Sequence, residues 1–103
     1  MKKIKELNDN IFDELHDAEK YAKLAMEYKD EDPTLSRNYL QKSKEELVHA
    51  DGLHSDVVRV IKEYRAEHGE PPAPMMAIYN WEHGKAIDKT ARIRALQNMV
   101  EEK

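Results

Sequence analysis

The sequence predicts an all-α protein in which a long antiparallel helical hairpin is followed by a third helix. Three observations lead to this prediction. Apolar residues recur at helical spacing along most of the chain, no segment shows the alternating pattern of a strand, and the four prolines, together with Gly69, mark two breaks. We expect helices over roughly residues 4–30, 33–68 and 75–101, within a single domain spanning residues 1–103.

The first two helices are predicted to form a hairpin. The first carries one apolar stripe, whose alanine-rich second half permits close helix approach. Asp32 followed by Pro33 is typical of a helix N-cap and first position, so the second helix begins there. The connection is too short for any arrangement other than an antiparallel one. The stripe residues of the first helix are Ile4, Leu7, Ile11, Leu15, Ala18, Ala22 and Ala25.

The second and third helices are separated by a segment that cannot continue a helix. Gly69 is typical of a helix C-terminus, and Pro71, Pro72 and Pro74 follow it. The predicted stripe of the second helix contains Leu35, Tyr39, Ala50, Leu53, Val57, Ile61 and Tyr64. That of the third contains Met75, Tyr79, Ala86, Ile93, Leu96 and Val100.

Composition excludes several functions. The 103 residues contain no cysteine, which excludes disulfides, thiolate metal sites and cysteine nucleophiles. The net charge of −4, with acids and bases interleaved, disfavours nucleic-acid binding. The lysine-rich start has no apolar run behind it, so we expect neither a signal peptide nor a membrane anchor, and a cytoplasmic location. Neither a Ser/His/Asp arrangement nor a glycine-rich phosphate loop is visible.

One carboxylate falls where an apolar residue is expected. With residues placed about 100° apart around the second helix, Glu46 lies inside the apolar arc, between the directions of Leu53 and Val57. Its neighbour Glu45 points toward solvent, and His49 lies at the edge of the arc. An unpaired buried carboxylate is costly, so such a group is normally paired, protonated or bound to metal. Glu46 and His49, one turn apart, can bind one metal ion or flank two.

Glu19 is a candidate third ligand because it lies at about the same distance from the turn as Glu46. It lies on the flank of the first stripe, about twelve residues before the turn, whereas Glu46 lies about fourteen residues after it. These spacings correspond to roughly 18 and 21 Å along the helices, which places the two carboxylates at nearly equal depth.

The chain at this point resembles the first helical hairpin of ferritin-like proteins, especially rubrerythrin and the small encapsulated-ferritin type. The resemblance covers roughly residues 11–58, about half the chain. Within it, Asp17–Ala22 resembles the first metal-binding helix, and Ser43–Leu53, with Glu45-Glu46-Leu47-Val48-His49-Ala50, resembles the second. The resemblance implies a di-iron site, with manganese as an alternative metal, and ligation by Glu19, Glu46 and His49.

The chain also departs from that family. A complete di-iron bundle needs a glutamate from each of two helices and Glu-x-x-His from each of two others, and one copy of this chain has half of that set. Glu82 on the third helix is displaced from Glu46 by about 20 Å along the axis, so it should not complete the site. Two chains related by a two-fold axis supply the full set. The small encapsulated-ferritin type is built this way, so the resemblance implies a homodimer or larger homo-oligomer.

Two functional hypotheses follow. In the first, the protein binds Fe(II) at the shared site, and oxidation of that iron would make it a ferroxidase-type oxidoreductase. In the second, it is a non-enzymatic helical adaptor, in which Glu46 and Glu82 specify the pairing of helices. The identity of any further partner, such as a cargo shell or another protein, stays open.

Overall fold

The computed structural model describes residues 2–102, and over this range it confirms the predicted all-α architecture. Three helices follow in order: α1 (Lys2–Glu27), α2 (Pro33–His68) and α3 (Ala73–Glu101). The predicted start and end of α2 are confirmed: the Asp32 carboxylate accepts a hydrogen bond from the Leu35 amide, and Gly69 closes the helix with a φ of 77°. The outer residues of the predicted domain, Met1 and Lys103, lie outside the described range.

The first two helices form a tightly packed antiparallel hairpin, against which α3 lies loosely. The molecule is extended, with dimensions of 55 × 18 × 17 Å. Within residues 2–102, none of the helices has an apolar run long enough to cross a membrane.

The hairpin core follows a spacing of alternately three and four residues, as in helices that wind around each other. In α2 two of these core positions hold serine. Ser36 is 3% exposed and Ser43 is fully buried, and each hydroxyl donates to a carbonyl oxygen of α1 at 2.6 Å. The buried α2 residues are Ser36, Leu40, Ser43, Leu47, Ala50, Val57, Val60 and Ile61.

The buried serines change which side of α2 faces α1. The sequence-predicted stripe is centred near Tyr39, Ala50, Leu53 and Val57. Ala50 and Val57 are buried as predicted, whereas Tyr39 and Leu53 are only half-buried. Placing Ser36 and Ser43 in the core rotates the buried face by about 50° relative to that stripe. Glu46 therefore lies at the edge of the hairpin core, rather than in its centre.

The third helix is anchored mainly through its second half. Its three buried residues are Ile93, Gln97 and Val100. Gln97 donates to Ser43 Oγ at 2.8 Å, and Lys29 Nζ donates to the Met99 carbonyl at 2.9 Å. Lys44 pairs with Glu101 at the same end. Because Ser43 also donates to Ala18, one hydrogen-bonded chain joins all three helices.

Candidate metal centre

The register of the hairpin places Glu14 level with Glu46. The hydrogen bond from Ser43 to the Ala18 carbonyl fixes this register. Four residues back from Ala18 along α1 is Glu14, and four residues forward from Ser43 along α2 is Leu47, the neighbour of Glu46. Glu14 also lies thirteen positions before the last residue of α1, and Glu46 lies thirteen positions after the first residue of α2. The two carboxylates therefore face each other across the hairpin.

Glu14, Glu46 and His49 form a three-residue cluster suited to a metal ion. One ligand atom from each lies within 4.8 Å of the others, and this is the only such group found in residues 2–102. His49 Nδ1 is 3.6 Å from Glu14 Oε2 and 3.7 Å from Glu46 Oε1. The Glu46 side chain is 20% exposed, and that of His49 is 58% exposed. The cluster thus has a sheltered carboxylate at its base and an accessible imidazole at its rim.

The cluster lies on the side of the hairpin that α3 leaves uncovered. Residues of α1 that line a cavity with α3, such as Phe12 and Leu15, point roughly 130° away from Glu14 around the helix. On α2, Lys44 and Asp51 face α3 and lie about 150° from Glu46. We call the uncovered side the open face. Besides the cluster, its half-buried apolar and aromatic residues are Leu7, Tyr21, Leu24, Tyr28, Leu35, Tyr39, Leu53 and Tyr64.

The proximity of the two glutamates perturbs the ionisation of Glu46. Its pKa is raised from 4.5 to about 6, chiefly by a hydrogen bond with Glu14, then by burial and by the Glu14 charge. The charge of Asp17 acts in the same direction, while His49 opposes it. Like carboxylates held together favour sharing a proton, and a cation can replace that proton.

The raised pKa of Glu46 predicts a pH dependence of stability. The folded metal-free protein binds this proton more tightly than the unfolded chain, so the free energy of unfolding should fall as pH rises from about 4.5 to about 6. Glu46→Gln stays neutral at every pH and should lack this part of the profile. Urea unfolding in EDTA between pH 4.5 and 7 measures the difference. Glu45→Gln, on the exposed side of α2, is the matched control and should keep the wild-type profile; identical profiles in all three proteins would contradict the shared-proton pair.

The structure brings Glu46 and His49 together as predicted, but it does not bring Glu19 to them. Glu19 lies five residues beyond Glu14, a rotation of about 140° around α1, which puts it on the flank facing α3. Its carboxylate is 3.5 Å from Lys23 Nζ. Glu82 also lies apart, with its carboxylate 3.4 Å from Lys85 Nζ. Metal ligation by Glu19, Glu46 and His49 stays a prediction, and geometry favours Glu14 in the place of Glu19.

Sequence reasoning missed Glu14 because the first helix was predicted to run to about residue 30, whereas α1 ends at Glu27. The turn was therefore placed too late in the chain, and so was the residue of the first helix expected to lie level with Glu46. Counted from the observed helix ends, Glu14 and Glu46 lie at the same distance from the turn.

Comparisons with protein-family models, curated proteins and solved structures found no match to this chain. The function is therefore inferred from the donor set. Two carboxylates and one imidazole are ligand types that suit iron and manganese. The arrangement fits a metal ion because a cation would offset the repulsion between two carboxylates that are held close together.

Proposed function

We propose that this protein is a ferritin-like metal-carboxylate protein that binds Fe(II) between two copies of the chain. The observation that carries the proposal is the Glu14–Glu46–His49 cluster at the centre of the open face. Glu14 takes the place of the glutamate from the first helix, and Glu46 with His49 forms the Glu-x-x-His pair of the second. Two hairpins meeting at this face supply the two glutamates and two Glu-x-x-His pairs of a di-iron bundle.

A single copy is a poor metal site by itself. It offers three side chains, and the outward side of the cluster is open, since His49 is more than half exposed. A second copy would add three more ligands and exclude water from the site. The apolar and aromatic residues around the cluster support pairing here, because they would be covered by the partner hairpin. The extended shape of residues 2–102, in which α3 leaves the open face of the hairpin uncovered, supports it further.

Each residue has a defined task in this proposal. Glu46, the most sheltered of the three, would bind iron through a carboxylate oxygen. Glu14, which faces it from α1, would hold the same ion from the other helix. His49 would supply a ring nitrogen at the rim. Bound iron would supply one-electron redox chemistry, with oxygen or peroxide as the oxidant.

Anaerobic titration with Fe(II), followed by sedimentation, tests the proposal. We expect saturation at about one ion per chain, with metal binding coupled to formation of a dimer or larger assembly. Admission of oxygen to the loaded protein then measures whether Fe(III) forms faster than in buffer. A 12.1 kDa species at tens of micromolar protein, with or without Fe(II), would contradict the shared site.

The adaptor hypothesis predicts a different outcome of the same experiment. The contact between Glu14 and Glu46, which raises the pKa of Glu46, gives it a physical basis, because a polar group in a helical seam can specify pairing. An adaptor would assemble equally well in EDTA and would not bind Fe(II) at stoichiometric levels. Metal-independent assembly without iron binding would therefore favour it.

A further inference from the structure

Two stacked histidines join α2 to α3 on the opposite side of the hairpin from the metal cluster. The rings of His54 and His83 are 4.7 Å apart between centroids and inclined by only 16°. Tyr79, one turn earlier on α3, stacks with His83 at 5.8 Å. Neither histidine takes part in the proposed function, and the inference drawn from them does not depend on it.

The surroundings of the two histidines favour the neutral imidazole over the protonated one. Both histidines are half-buried, and His54 Nε2 is fully buried without a hydrogen-bond partner among the described residues. They border a cavity of about 300 Å³ whose walls are largely apolar. A protonated imidazole has two N–H donors to satisfy, and this environment leaves at least one of them unpaired.

The neighbouring charged side chains do little to offset the repulsion that arises when both His54 and His83 are protonated. Asp51 of α2 and Arg94 of α3 line the same cavity with opposite signs, and α1 contributes no charged side chain to the described lining. Glu82, next to His83, is paired with Lys85. Burial, and then the charge of His54, lower the pKa of His83 below 6.5.

The part of α3 that carries His83 is the part least firmly attached. All three buried residues of α3 lie at or beyond Ile93, where Gln97 and Met99 make the hydrogen bonds to the hairpin. Before Ile93, attachment relies on half-buried side chains such as Tyr79, His83 and Ala86. The first half of α3 can therefore separate while the second half stays anchored.

We propose that His54 and His83 form a pH-sensitive latch, which holds the first half of α3 on the hairpin when neutral and releases it when protonated. Release moves the two protonated rings apart and exposes the buried His54 Nε2 to water. In the released state His83 regains its ordinary pKa near 6.5, so it binds a proton more tightly than when docked. Opening should accordingly increase as pH falls below about 6.5, and docking should be complete above that pH.

Hydrogen exchange of the whole chain in EDTA tests the latch. Between pH 7.5 and pH 5, after correction for intrinsic exchange rates, protection of amides in residues 77–90 should fall about tenfold or more. Protection in residues 93–101 and in α2 between residues 36 and 50 should change far less.

Two variants test whether the loss of protection depends on protonation of the histidine pair. His83→Phe retains an aromatic ring but cannot be charged, so it should remove the pH-dependent loss in residues 77–90. His54→Phe should do the same from the other side of the pair, which covers the case in which one variant folds poorly. His16→Gln, an exposed histidine on α1, is the control and should behave as wild type. Undiminished loss in both phenylalanine variants, or none in the wild type, would overturn the proposal.

Discussion

Replacing Glu14 or Glu46 with glutamine, or His49 with alanine, is expected to weaken Fe(II) and Mn(II) binding by more than about 100-fold. Mutations one layer outside a metal's ligands already cost about 10–100-fold, and loss of a ligand leaves the others unable to close the coordination shell. Isothermal titration or dialysis with metal analysis measures the change. Glu45→Gln and Glu19→Gln are the matched controls: each removes one carboxylate from the same helices, and neither carboxylate belongs to the cluster, since Glu45 accepts a hydrogen bond from Gln41 and Glu19 pairs with Lys23.

Folding should respond to the same substitutions in the opposite direction. Without metal, Glu46→Gln removes the repulsion with Glu14, so the variant should be at least as stable as the wild type. With metal at a hundred times its dissociation constant, the wild type should gain about 2.7 kcal/mol and the variant nothing. Equal metal responses in thermal melts would reject the iron site and favour the adaptor. Loss of binding in Glu19→Gln would return Glu19 to the ligand set.

The sequence was sufficient to predict the helices and the hairpin because these depend on local signals. Asp32 and Pro33 start α2, Gly69 ends it, and the short connection allows only one packing direction. The facing of Glu46, His49 and Glu45 also followed from periodicity, since a helix turns by a fixed angle per residue. The structure confirms it: Glu46 and His49 approach within 3.7 Å, while Glu45 is exposed.

The partner from α1 could not be predicted with the same certainty, because it depends on contacts between helices. Ser36 and Ser43 look like surface residues in the sequence, yet their hydrogen bonds to Ala25 and Ala18 place them in the core. These bonds fix the register, and a shift of a few residues along α1 exchanges Glu19 for Glu14. The docking of α3 through Gln97 and Ser43 is likewise a pairing of buried polar groups, which an apolar stripe cannot reveal.

The second large effect concerns the open face. Leu24→Glu should raise the dissociation constant of the assembly by about 30-fold or more, because a carboxylate at a covered interface loses its hydration without a partner. Leu24 lies on the same flank of α1 as Tyr21 and Tyr28, and is half-buried within a single chain. Sedimentation across a dilution series measures the constant, and circular dichroism verifies that the helices persist.

Val48→Glu is the matched control for this prediction, and it distinguishes the two candidate pairing surfaces. Val48 is 68% exposed and lies on the other flank of α2, beside Arg94 and Asn98 of α3. If copies pair through the open face, Val48→Glu leaves assembly unchanged, and added Fe(II) partly restores the Leu24→Glu dimer because metal binds the paired state more tightly. If Val48→Glu dissociates the assembly and Leu24→Glu does not, the chains pair through the α2–α3 flank. In that arrangement Glu14, Glu46 and His49 of two copies point away from each other, and a shared site could not form.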